Sequence, residues 1–142
     1  MADIKAPTLE NPGSPRHGGT FGNASVLVES ITVSAATIGD RFVFAELQPG
    51  VKLIDAEIFA SAGTADATLN VGYEPTDGSG GDADYFIAAQ SIASAGRFRA
   101  DENNPPALLD EKSYVTATLA GANIASATTL TVRVSYVFEG HE

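Results

Sequence analysis

The sequence contains no cysteine, which excludes disulfide frameworks, thiolate zinc sites and cysteine nucleophiles. It has no tryptophan and only two histidines, His17 and His141. A histidine base must be held in place beside a nucleophile. His17 lies in a segment rich in proline and glycine, and His141 lies at the other end of the chain. We therefore interpret both as solvated residues, and predict no enzymatic activity and no cofactor.

Positive charge is also scarce, with eight Lys+Arg against 18 Asp+Glu, a net charge of -10 and a pI near 4.4. A nucleic-acid binder needs a basic surface that displaces counterions, and an anionic membrane attracts basic surfaces in the same way. Neither partner is therefore predicted. No apolar run approaches the roughly 18 residues of a membrane helix, and the first residues lack the apolar core of a secretory signal.

The first 24 residues differ in composition from the remainder of the chain. Residues 7–22 contain three prolines and four glycines without apolar periodicity, so they cannot offset their ordering entropy by burying a face. We predict an extended N-terminal arm over residues 1–24, which is either a frayed end or a segment that orders on a partner. Its candidate contact residues are Pro12, Pro15, Arg16, His17 and Phe21.

From residue 25 onward the apolar residues recur with a period of two, which is typical of strands. Clear runs cover Arg41–Leu47, which ends at the turn pair Pro49-Gly50, and Ser113–Leu119 and Thr128–Phe138 near the end. Seven or eight short strands without a long helix predict an all-β antiparallel sandwich over residues 25–142. A jelly roll is the first choice and an immunoglobulin-like sandwich the second.

Two segments carry more specific expectations. Val51–Ala62 is predicted as a strand with Ile54, Ala56, Ile58 and Ala60 on one face and a half-solvated opposite face. Tyr85–Ala95 fits both a strand and a helix, and its alanine content favours a helical turn that leads into a strand.

Acidic residues suggest two kinds of chemistry. Asp55 and Glu57 share a strand face, as a carboxylate pair of a glycosidase would, but a solvated surface explains them better. Asp77, Asp82 and Asp84, with Glu74, supply oxygens that calcium could use. That loop does not match the EF-hand pattern, and aspartate and glycine are ordinary turn residues. We predict no metal site.

Several phrases together resemble small head proteins of tailed bacteriophages, of the decoration or cement type. These are Gly39–Arg41, Leu47–Ile58, Ala67–Tyr73, Asp82–Ala89, Tyr114–Leu119 and Leu130–Tyr136. The resemblance implies a jelly-roll-like sandwich that binds the major capsid protein on the capsid exterior. It also implies a homo-oligomer, a dimer or trimer, that is made in the host cytoplasm and stabilises the virion shell without catalysis. The alternative is a carbohydrate- or receptor-binding module of a fibre or adhesin, although the sequence lacks the tryptophan that often holds a sugar ring.

Overall fold

The structure is a computed structural model that describes residues 2–6 and 24–139. These residues form ten strands and no helix, so none of them belongs to a helix long and apolar enough to cross a membrane. The strands are β1 (Asp3–Lys5), β2 (Ala24–Val33), β3 (Arg41–Leu47), β4 (Val51–Ala60), β5 (Thr68–Pro75), β6 (Asp82–Ser91), β7 (Gly96–Arg99), β8 (Ala107–Leu108), β9 (Ser113–Ala120) and β10 (Thr128–Phe138).

The strands form two sheets. The first sheet has the order β1-β3-β9-β5-β6, and the second has the order β2-β10-β4-β7, with β8 paired to β4. Apart from the short β1 and β8, the pairs β2–β10, β3–β9, β4–β7 and β5–β6 are nested one inside the next along the chain. This nesting is that of a long hairpin rolled up on itself, the jelly roll. The predicted all-β sandwich of jelly-roll type is confirmed.

The core lies between the inner faces of the two sheets. On β2, Leu27, Ile31 and Val33 are buried, while the alternate residues Val26 and Val28 are exposed, as the period of two predicts. The core side chains that are almost completely buried come from both sheets: Phe42, Phe44, Leu47, Leu53, Ile58, Leu69, Ile87, Ile92, Leu119 and Leu130. The turn Pro49-Gly50 also forms as predicted, with Gly50 at φ 91°.

The helical turn predicted over Tyr85–Ala95 is wrong, because β6 continues through Ser91 as a strand paired with β5. Phe86 and Ile87 are buried from this strand. A helix of one or two turns is marginal in water whatever its alanine content, so sheet pairing and burial determine the structure here. The residual irregularity is local, since Ala89 has a positive φ of 52°.

The face predicted for Ile54 is also wrong. The β4–β10 register pairs Asp55 with Ser135 but Leu53 with Tyr136, so Ile54 is an extra residue in a β-bulge. Before the bulge, Leu53 points into the core. After it, Ala56, Ile58 and Ala60 do so, while Ile54 is 42% exposed. A bulge exchanges the two faces of a strand, and a strict period of two cannot follow that exchange.

Candidate functional site

The predicted arm is only partly covered by the structure. Pro12, Pro15, Arg16, His17 and Phe21 lie outside the described residues, as does His141. Asp3–Lys5, within the predicted arm, form β1, which pairs in parallel with β3 at the edge of the first sheet. Residues 7–23 therefore connect the edge strand of one sheet to β2, the edge strand of the other. The division of the chain at residue 24 stays a prediction.

An ion-pair cluster holds β1 on the first sheet. The Arg41 guanidinium donates from Nε to Asp3 Oδ1 at 2.9 Å and from Nη2 to Asp3 Oδ2 at 2.7 Å. Its Nη1 also pairs with Glu74 on β5, and its Cζ lies 5.8 Å from the centroid of the Tyr114 ring. The hydrogen bonds from Arg41 lower the pKa of Asp3, and the same bonds raise the pKa of Arg41.

A second attachment lies at Asp40, immediately before β3. Its carboxylate accepts hydrogen bonds from the backbone N–H of Ala2 at 3.1 Å and of Thr37 at 2.9 Å. The bond from Thr37 is the main reason why the pKa of Asp40 is lowered, with the bond from Ala2 next. Ala6 is fully buried and donates its N–H to the Val43 carbonyl at 2.8 Å. The start of the chain is thus fixed up to the residue where the proline- and glycine-rich segment begins.

The solvated surface predicted for Glu57 is wrong, since its side chain is almost fully buried. It lies on the outer face of the second sheet, beneath Arg133, with which it forms an ion pair, and Arg97, whose Nε lies 3.6 Å from Glu57 Oε2. Its two oxygens have ion-pair partners but no hydrogen bond of good geometry among the described residues. Asp55 is exposed, as predicted, and accepts the N–H of Ala56. A buried anion beneath two arginines on the outer face of a sheet has the arrangement of a structural ion pair, not of a glycosidase acid and nucleophile.

Local backbone hydrogen bonds occupy two acids of the segment that follows β5. Asp77 accepts the N–H of Ser79 at 2.8 Å, as in turns built around aspartate, and Asp82, at the start of β6, accepts that of Asp84 at 3.3 Å. The pKa of Asp84 is raised, chiefly by its side-chain hydrogen bond with Asp82. Across residues 2–6 and 24–139, no group of three His, Asp or Glu side chains is arranged to hold a metal ion.

The sequence analysis missed a group of three arginines on the outer face of the second sheet. Arg133 on β10 faces Glu57 on β4, and Glu57 faces Arg99 on β7, so the three form one row across the sheet. Arg97 lies in the next row, opposite Phe59. The alternation Arg-Phe-Arg at 97–99 indicates a strand with two arginines on one face. It does not show that this strand pairs with β4, which in turn pairs with the strand that carries Arg133.

Several solved structures share this fold. The chain is similar to a chain in the capsid of Ralstonia phage GP4, with a TM-score of 0.74, 17% identity, and coverage of 95% of this chain and 97% of that one. It is similar to a chain in the capsid asymmetric unit of cyanophage Pam1, with a TM-score of 0.63, 19% identity, and coverage of 90% and 93%.

A chain in the acidic stable capsid of Helicobacter pylori bacteriophage KHP30 follows, with a TM-score of 0.50, 14% identity, and coverage of 80% and 95%. No protein-family model and no curated sequence matches the chain. At these identities the likeness establishes the jelly-roll fold. The coverage in both directions also shows that the first two neighbours are chains of nearly the same length as this one.

Proposed function

We propose that this chain is a structural protein of a tailed-phage virion that binds the outside of the capsid shell as a decoration, or cement, protein. The observation that carries the proposal is the match along almost the whole length to chains of phage capsid structures. In each of the two, a chain of this size with the same jelly roll occurs within a capsid. In this proposal the chain is not an enzyme, and its partners are the major capsid protein and further copies of itself.

Charge supports the exterior rather than the interior of the shell. The inner wall of a shell faces packaged nucleic acid, and a chain with a net charge of -10 is repelled by phosphates. The outer wall imposes no such penalty. A protein made in the host cytoplasm at high copy number also gains solubility from a large net charge. Many copies with modest interfaces then stabilise the shell together, because each bound copy adds contacts between neighbouring shell subunits.

In this proposal, residues 7–23 make part of the contact with the capsid. Both ends of this segment are fixed, at Ala6 and at the start of β2, so ordering it on a partner costs less entropy than ordering a free tail. Pro12 and Pro15 restrict its backbone. Phe21 supplies an apolar anchor, Arg16 can pair with a carboxylate, and His17 adds a further polar contact.

The test mixes the purified protein with undecorated capsids and measures occupancy and the temperature at which the shells break. The informative variant replaces residues 7–22 with a glycine-serine segment of equal length and keeps β1, which a deletion from residue 2 would destroy. We expect the native chain to bind and to raise the breaking temperature, and the variant to fold but bind weakly. Failure of the native chain to bind would refute the decoration function. Full binding by the variant would refute the role of the segment.

The alternative, a module of a fibre or adhesin, predicts that the purified chain binds a glycan. A glycan array probed with the purified chain would give specific, saturable binding if the chain were a sugar-binding module. Tyr73 and Tyr85, the best-placed aromatic pair, meet edge to face with centroids 5.3 Å apart, and the Tyr85 hydroxyl donates to the Pro105 carbonyl. These contacts do not leave an open flat platform for a sugar, and we expect no glycan signal.

A further inference from the structure

The outer face of the second sheet has a composition unlike the rest of the molecule. We call it the arginine face and define it by the arginines and the exposed large apolar residues that point outward from β2, β10, β4, β7 and β8. Its members are Val26, Val28, Ile54, Arg97, Arg99, Leu108 and Arg133. Four of the five large apolar side chains that are exposed among the described residues lie here, with exposed fractions of 42–59%. The fifth, Ile38, lies in the β2–β3 loop.

The charge of this face is opposite to that of the whole chain. Three arginines are exposed on it, and Lys52, opposite Leu108 on the same sheet, adds a fourth cation. The carboxylates nearby are Asp55, Glu139 and the buried Glu57. Cations therefore outnumber anions here, whereas the complete chain has ten more acidic than basic residues. Exposed valine, isoleucine and leucine next to arginine is the composition of a protein interface, in which arginine is enriched and lysine and glutamate are depleted.

Two of the three arginines are held by an ion pair before any partner binds. Arg97 and Arg133 are both directed at Glu57, which is only 3% exposed, so one buried anion orients two guanidinium groups. Arg99 faces Glu57 in the strand register and has no ion-pair partner among residues 2–6 and 24–139. Arg97 and Arg133 therefore lose less entropy on binding than free guanidinium groups would, and Arg99 can pair with a carboxylate of a partner without giving up an ion pair.

We infer that the arginine face docks on an acidic, partly apolar surface of another protein, which in the proposed function is the outer surface of the capsid shell. The inference rests on that proposed function and specifies which face of the chain contacts the capsid. A second copy is a poorer occupant for two reasons. Face-to-face contact would bring two sets of arginines together. Contact with another part of the chain would set four apolar side chains against surfaces where, among the described residues, Ile38 is the one exposed large apolar side chain.

Two variants test the face, and the fold of each is checked directly, because Arg99 lies opposite the buried Glu57. Arg99→Glu reverses a charge that holds no ion pair within the described part of the chain, and Val26→Ser combined with Val28→Ser removes two exposed apolar groups. The controls are Lys112→Glu, the same charge reversal at a half-exposed lysine just before β9 that pairs with Glu46, and Ile38→Ser, the exposed apolar residue outside the face. Thermal unfolding followed by circular dichroism verifies that all four variants are folded.

Binding to undecorated capsids is measured by co-sedimentation, and the association state of the free protein by sedimentation velocity. We expect each face variant to lose about tenfold or more in affinity, since central interface residues typically cost this much. Each control should remain within about twofold of the native chain. Added salt should weaken the native chain more than Arg99→Glu.

Each other result has a definite meaning. If the native chain binds and both face variants bind equally well, the inference is wrong and the decoration function stands. If the face variants instead dissociate an oligomer of the free protein and keep their affinity for capsids, the face is a contact between copies and the inference is overturned. If the native chain binds no capsid, the proposed function and this inference fall together.

Discussion

Glu57 and Arg133 form an asymmetric pair, because the carboxylate is buried and the guanidinium is about half exposed. Arg133→Met leaves the buried anion with Arg97 as its remaining ion-pair partner, which we expect to lower the free energy of unfolding by about 2 kcal/mol. This is less than the 3–5 kcal/mol for a fully buried pair, since water still reaches this site. Glu57→Met leaves two arginines that water can solvate and should cost within about 1 kcal/mol.

Denaturant unfolding of both single variants and the double variant measures this difference. The double variant should resemble Glu57→Met. Once the carboxylate is gone, the loss of Arg133 no longer leaves a buried charge without its partner. A larger loss for Glu57→Met than for Arg133→Met would mean that desolvation of the carboxylate is not the dominant contribution.

Gly72 is required for a different reason, the close approach of another backbone. A Cβ atom built on Gly72 would lie 2.0 Å from the Asp82 carbonyl oxygen, where β6 begins. We expect Gly72→Ala to destabilise the fold by about 3 kcal/mol or to prevent folding, because two backbones must separate. Gly96→Ala is the control, since its Cβ would meet only the Phe98 ring, at 3.2 Å. Melting temperatures compare the two, and equal losses would contradict this explanation.

At the scale of single elements, β3 and β10 were predictable from the sequence and β4 and β6 were not. Arg41–Leu47 and Thr128–Phe138 have the predicted bounds because turn residues or polar loops close an apolar alternation. In β4 the bulge at Ile54 exchanges the faces. The arginine face was equally hidden, because its strands are distant in sequence and become neighbours only through the sheet order β2-β10-β4-β7. Periodicity gives the faces of regular strands, but sheet order is set by packing of the whole chain.

The attachment of β1 should depend on pH. The pKa values of Asp3 and Asp40 are both lowered in the folded chain from the ordinary value of 3.8. A lowered pKa adds stability above pH 3.8, and this contribution disappears as the pH falls through the folded value. We expect β1 to detach in acid before the sandwich unfolds.

Hydrogen exchange at the Ala6 amide, which donates to Val43, reports this detachment directly. Protection should fall below pH 3.8, after correction for the intrinsic pH dependence of exchange, while core amides stay protected. In Asp3→Asn combined with Asp40→Asn, the acid-induced loss should be absent. A local measurement is needed because Asp84, whose pKa is raised, acts with the opposite sign. Constant protection of Ala6 down to pH 2 would disprove the role of the two carboxylates.

For the molecule as a whole, we expect stability to be independent of divalent metal ions. Asp77 and Asp82 already accept backbone hydrogen bonds from the residue two positions on, so calcium would have to compete with these bonds. The melting temperature should be the same in EDTA and in millimolar calcium. Asp77→Asn, which keeps an acceptor for the Ser79 amide, serves as the control. A rise of many degrees on adding calcium, absent in Asp77→Asn, would show that the loop binds the ion.

The nested pairing of the jelly roll also dictates the order in which the chain can fold. Among the strands of residues 2–6 and 24–139, β5 and β6 are the one pair of consecutive strands that bond to each other, whereas β2 pairs with β10 across about 100 residues of sequence. Closing such a long loop is slow until the inner pairs have already brought its ends together. During synthesis β2 therefore emerges early and waits, with its edge unpaired, until β10 has been made. We expect other copies to pair with that edge in this interval, so the yield of folded protein should fall as expression becomes faster.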